Sequence, residues 1–305
     1  MGHQLAKNIL ATVTYYDVLD YPLTSFEIWK HLVAHEGDGQ EATWTLGEVV
    51  QSLEGELLQG KIAMRSGLYF SPGREALLSL RIQREKCSAR KLVRMRRLAR
   101  LISCLPYVRM IGATGSLAMK HGTRRSDWDM LIVFRAGKIW FGRTIVTLFL
   151  HAIGKRRHGK KITDRACLNY FITEDNLEIM TKDLYSAHEY RFLVPLFGIP
   201  TFRRFELSNA WIRKWKPEFA PTILSHRLTL PESRIQMKIQ RALESISDFF
   251  ALETWLARIQ KAKIARNPNT ALEGSLIEAS DQALIFLPRP RGPKVFSLFK
   301  ERMRF

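Results

Sequence analysis

The chain has 305 residues, 46% of them hydrophobic and 25% charged, and its 48 Lys and Arg against 29 Asp and Glu give a net charge of +19. That length and apolar content allow two or three domains with buried cores and exclude wholesale disorder. No apolar run reaches the roughly 18 to 20 residues of a membrane span, and three scattered cysteines make neither a disulfide framework nor a zinc site.

Residues 1–73 read as one unit. The opening "MGHQLAKNIL" lacks the basic-then-apolar pattern of an export signal, so a cytoplasmic location is expected. "AKNILATVTYYDVL" spaces apolar residues as a helix does, and "YPLTSFEIWKHLV" begins a second helix capped by Thr24 or Ser25. "TLGEVVQSLEGELLQG" predicts a third helix that stops at Gly60. "KIAMRSGLYFSP" alternates around Ser66 and Gly67 as a short hairpin. Three helices and a hairpin is the order of a winged helix. The third helix carries Glu48, Glu54 and Glu56 but no Arg or Lys, unlike a helix that reads a major groove, so a packing role is expected.

Residues 74–217 form the second unit. It begins with a helix over 74–104 that has nine Arg or Lys and one Glu between residues 81 and 100. Leu92, Met95, Leu98, Ala99 and Ile102 supply its buried stripe. "YVRMIGAT" reads as a strand, Gly115 and Ser116 as a tight turn, "LAMKHG" as a short helix and "DWDMLIVF" as a second strand. An apolar helix, a basic loop "GKRRHGKK" and a third strand "ACLNYFIT" follow. "DLYSAHEYRFLVPLF" and "RFELSNAWIRKWK" read as two further helices. Residues 218–305 are expected to be mostly helical, closing with a proline-punctuated basic segment.

The chemistry concentrates in "GATGSLAMKHGTRRSDWDMLIV". Side chains alternate along a strand, so Asp127 and Asp129 share a face, about 6.6 Å apart. Paired carboxylates suit one or two hard divalent cations such as Mg²⁺, which also bridge to substrate phosphates. A glycine at the preceding turn lets the backbone approach a phosphate, and Ser116 adds a hydroxyl. Arg125 and Ser126, beside the aspartates, and Lys182, before the next helix, are candidate contacts for a nucleotide's phosphates. "GKRRHGKK" nearly spells a phosphate-binding loop, but Lys161 replaces the Ser or Thr and the segment follows a helix, so that reading is rejected. Its Arg156, Arg157, Lys160 and Lys161 remain candidates for holding a polyphosphate. Tyr185, His188 and Glu189 lie on one helix, where ordinary packing is the expectation.

Gly115, Ser116, Asp127 and Asp129 resemble the G-S … D-x-D signature of the DNA polymerase beta-like nucleotidyltransferase superfamily. The motif spans about 20 residues, with compatible secondary structure over roughly 76–216. The resemblance implies an α/β (α+β) fold with a small mixed sheet, flanked by a winged-helix-like N-terminal unit and a helical C-terminal region. It implies two Mg²⁺ ions held by Asp127 and Asp129, and an NTP cradled by Gly115 and Ser116. The reaction is transfer of a nucleoside monophosphate to a hydroxyl of RNA, protein or a small molecule. Active members usually carry a third carboxylate on a later strand, and here that strand offers Asn169. Asp164, Glu174 or Asp175 would have to substitute. If none does, the alternative is an inactive nucleotidyltransferase fold that binds nucleic acid or regulates.

Overall fold

The computed structural model describes residues 2–34, 44–249 and 252–303. Three helices, α1 (Gly2–Val18), α2 (Ser25–Lys30) and α3 (Leu46–Glu54), lead into a hairpin of β1 (Ala63–Arg65) and β2 (Leu68–Phe70). Thr24 and Thr45 start α2 and α3 with reciprocal bonds to Glu27 and Glu48, satisfying amide donors that a helix start leaves unpaired. Ser66 and Gly67 turn the hairpin with positive φ at both positions, which matches the twist of the strands. α3 ends at Glu54, before the expected Gly60, because Gly55 is extended and a 3-10 turn, Glu56–Leu58, takes up the chain.

The long basic helix is α4 (Leu77–Ile102), and all five residues of its expected stripe are buried. Two of its cations are buried as well. Arg81 grips Glu27 through two bonds of 2.8 Å, and Lys91 donates to the carbonyls of Arg124 and Ser126 at 2.8 and 2.7 Å. A charge can be buried when it is paired and hydrogen-bonded, so this face of α4 is a joint and not a solvated surface.

Next come β3 (Val108–Ala113), the short α5 (Gly115–Ala118), β4 (Trp128–Phe134), α6 (Ile139–Ala152), β5 (Ala166–Thr173), α7 (Leu184–Arg191), β6 (Val194–Phe197) and α8 (Ile199–Ser208). α9 (Arg234–Phe249), α10 (Glu253–Ala265), β7 (Leu276–Ala279), β8 (Ala283–Leu287) and α11 (Gly292–Met303) complete the order. Six of the strands, β3 to β8, form one mixed sheet in the order β6-β3-β4-β5-β8-β7. β4 and β5 run parallel, with α6 as their crossover, and every other neighbouring pair is antiparallel. Trp128, Met130, Ile132 and Phe134 enter one core with α4 and α6; Leu131 and Val133 enter the other with α7 and α8. The fold is therefore mixed α/β, with both faces of the sheet covered.

Two segments differ from the sequence reading. The helix expected over "DLYSAHEYRFLVPLF" ends at Arg191, and Val194–Phe197 becomes an edge strand paired with β3. Pro195 cannot donate to a ladder, and edge strands are where sheets tolerate it. The C-terminal stretch contributes β7 and β8 to the sheet as well as helices; short apolar runs such as "ALIFL" do not reveal their state by periodicity alone. The core of the N-terminal unit also takes in Leu184 of α7, and Val295 and Phe299 of α11 pack against it. No helix among the described residues is long and apolar enough to cross a membrane.

Candidate active site

The turn between β3 and α5 and the start of β4 meet at Gly115. Its φ is +62°, and a Cβ built there would lie 2.4 Å from Asp129 Oδ2. Only glycine admits this approach without moving the carboxylate. The Thr114 amide donates to the Asp129 carbonyl at 3.1 Å, holding the turn against the strand. Asp127 sits just ahead of β4 and accepts from Arg157 Nη1 at 2.6 Å. Arg157 also donates to Cys167 Sγ at 3.2 Å, and Cys167 stands opposite Asp129 in the parallel register of β5. One ligand atom from each of Asp127, Asp129 and Cys167 lies within 4.8 Å of the others. Asn169 Nδ2 reaches Asp129 Oδ1 at 3.5 Å.

These groups line a cleft of about 720 Å³ together with Gly115, Ser116, Tyr185 and Glu189. Its far wall is the loop from β8 to α11, which brings Arg289 and Arg291. A smaller cavity of about 200 Å³, walled by Tyr16, Tyr21 and Phe192, shares Ser116, Tyr185 and Arg291 with the cleft.

Negative charge is crowded here. Burial, and then the like charge of Asp127, push the Asp129 carboxyl up to about 6. Glu189 is pushed up to about 7 by burial and then by Asp129, although it accepts the Gly115 amide. The Cys167 thiol rises to about 12, from burial and the two aspartates. A site whose carboxylates resist ionising, with Arg157 and Arg291 offsetting part of the charge, favours an added cation. Oxygen donors on one cleft wall suit a hard divalent ion such as Mg²⁺, whereas Cys167 as a protonated thiol contributes little to it.

The remaining candidates separate. Of Arg156, Arg157, Lys160 and Lys161, Arg157 alone lines the cleft. Ser126 turns away, its hydroxyl accepting the Thr123 amide at 2.9 Å, and Arg125 is exposed outside the cleft lining. Lys182 pairs with Glu178 at 2.7 Å and lines a different cavity. Asp164 is held by Lys91 and Arg94 at 3.0 and 2.9 Å. Glu174 pairs with Arg204 at 3.3 Å; it and Asp175 follow the far end of β5, about 20 Å along the strand from Cys167. None of these three carboxylates lines the cleft.

Glu189 does. The three residues named on this helix divide: Tyr185 and Glu189 look into the cleft, while His188 is buried with its Nδ1 3.1 Å from the Tyr16 hydroxyl. The i, i+4 spacing of Tyr185 and Glu189 was the available signal, but nothing in it distinguished a cleft from a core. No family model, curated protein or solved structure matches the chain. The case for its function rests on the site itself.

Proposed function

We propose that the chain is a Mg²⁺-dependent nucleotidyltransferase that moves a nucleoside monophosphate from an NTP to a hydroxyl acceptor. The observation that carries this reading is the meeting of Asp127, Asp129 and Glu189 with the Gly115 turn in one cleft. Asp127 and Asp129 would hold the metal, which when bound neutralises phosphate charge and orients the triphosphate. The Gly115–Ser116 turn lines the same cleft, where the Ser116 hydroxyl would contact phosphate oxygens. Arg157 and Arg291 balance the charge that develops as pyrophosphate departs. Glu189, raised to about 7, is poised to take the proton of the attacking hydroxyl. It would fill the role that Asn169, lacking a basic oxygen, leaves open. The three helices and hairpin of the N-terminal unit would act as a winged-helix-like wall beside the smaller aromatic cavity, and the NTP supply argues for the cytoplasm.

A second reading is favoured by Asn169 itself: a nucleotidyltransferase fold without activity that serves as a binding module. The two separate on incubation with labelled NTPs, Mg²⁺ and a panel of RNA, protein and small-molecule acceptors, alongside direct NTP binding. The enzyme predicts Mg²⁺-dependent NTP binding, lost in Asp129→Ala, and label transfer lost in both Asp129→Ala and Glu189→Gln. Absence of Mg²⁺-dependent NTP binding by the wild-type chain would sink the enzymatic reading whatever acceptors were tried.

A further inference from the structure

α9 is mounted the wrong way round for a helix of a water-soluble surface. A row of its polar residues, Gln236, Gln240 and Glu244, faces the protein. Gln236 donates to the Ser103 carbonyl at 3.0 Å, and Gln240 to the carbonyls of Leu105 and Val108 at 3.1 and 2.7 Å. Glu244 accepts from the Tyr107 amide and from Arg109 at 2.8 and 2.9 Å. Ile235, Ile239, Leu243 and Ile246 recur at helical steps on the outside, with Ile235 71% and Ile246 61% exposed. α10 meets the protein through apolar residues and still leaves others outside. Its Leu256, Ala257 and Ile264 pack on the core, while Trp255, 60% exposed, and Ile259 face out.

Cations flank both stripes. Arg234, Lys238, Arg241, Arg258, Lys263 and Arg266 are all exposed, and none of them makes an ion pair among the described residues. The acidic residues of the two helices are engaged elsewhere: Glu244 by Arg109, Asp248 by Lys138, and Glu253 by the amides of Trp140 and Phe141. Surface helices normally turn such Ile and Leu residues inward, so an outward stripe of this kind marks a contact.

We propose that α9 and α10 dock on an anionic lipid bilayer surface, with the Ile, Leu and Trp side chains entering the interfacial layer and the flanking cations meeting lipid phosphates. Apolar stripe, cationic flanks and an interfacial tryptophan together are the pattern of a helix that lies in the membrane plane. Charge decides against the other occupants. A second copy packed on this face by two-fold symmetry sets the same cations against each other. Nucleic acid would use the cations but has no use for four exposed branched aliphatic side chains. α10 packs on the core that Trp128 and Met130 enter, and Asp129 points to the opposite face of the sheet. A docked chain therefore keeps its cleft turned toward the aqueous phase.

The test is flotation of the full chain with phosphatidylcholine vesicles, with and without phosphatidylglycerol, at low and high salt. Partition into the anionic vesicles is expected to exceed that into neutral ones by at least about tenfold and to fall with salt. Ile239→Glu with Ile246→Glu, and separately Lys238→Glu with Arg241→Glu, should each reduce it about tenfold. Unchanged melting is expected for both, since the substituted side chains are exposed. No preference for anionic vesicles, or binding indifferent to both variants, overturns the proposal. So does a dimer in light scattering that Ile239→Glu dissolves, or duplex DNA binding in place of vesicle binding.

Discussion

Replacing Asp129 with Asn should stabilise the metal-free protein and, in the proposed reaction, abolish transfer. The folded chain holds this carboxyl at about 6 against an ordinary value of 3.8. The difference of about two pH units corresponds to about 3 kcal/mol, and residual contact with water lowers the usable part to about 2 kcal/mol. The sign follows from proton linkage. Between about pH 4 and 6 the folded state binds the proton and the unfolded state does not. The contribution of Asp129 is thus fully present below pH 4 and is lost as pH rises through 6. Asparagine keeps the shape and carries no charge, so the variant does not lose stability over this window. For a chain of this size the difference amounts to about 3 °C in Tm at pH 8. Calorimetry in EDTA from pH 4 to 8 reads it directly, and added Mg²⁺ should raise the Tm of the wild type but not of the variant. A gap of equal size at pH 4 and pH 8, or a variant less stable at pH 8, would refute the crowded-carboxylate account.

Gly115→Ala forces a Cβ to within 2.4 Å of Asp129 Oδ2 at a φ of +62°, so we expect a loss of about 1–3 kcal/mol and, in the proposed reaction, transfer reduced far more than folding. Chemical denaturation and NTP binding measured together check this. Lys216 is buried against the rings of Tyr15 and Tyr16, with its Nζ donating to the His31 carbonyl at 3.0 Å; burial, and then Arg191, push it down to about 7. Stability should therefore climb as pH rises from about 7 towards 10.5, and Lys216→Met should flatten the climb by up to about 4 kcal/mol; a parallel pH profile for the variant would contradict it. Arg81→Ala leaves Glu27 without its partner at the joint of α4 with the N-terminal unit and should cost about 3–5 kcal/mol. The double change of Arg81→Met with Glu27→Gln should recover much of that loss in urea melts, and failure to recover it would point to packing instead of charge.

Local chemistry was legible wherever a few neighbouring residues decide the outcome. Thr24 or Ser25 announces the start of α2, Ser66–Gly67 the hairpin, and Leu92 to Ile102 the buried stripe of α4, because capping, turn geometry and helical period act within one to three turns of chain. The same holds for the pairing of Gly115 with Asp129, since a tight turn followed by a strand on the next segment returns the chain to its own neighbour. β6, β7 and β8 escaped notice because four or five apolar residues become a strand only when a partner edge exists to bond with them. Glu189, Cys167 and Arg291 escaped for a related reason: each reaches the cleft from a different element, far along the chain. The outward turn of Ile235, Ile239 and Ile246 is of the same kind. Sequence alone determined that α9 has an apolar and a polar face. Which face met the protein was decided by the carbonyls of Ser103, Leu105 and Val108, which accept from Gln236 and Gln240, and only the tertiary structure brings those groups together.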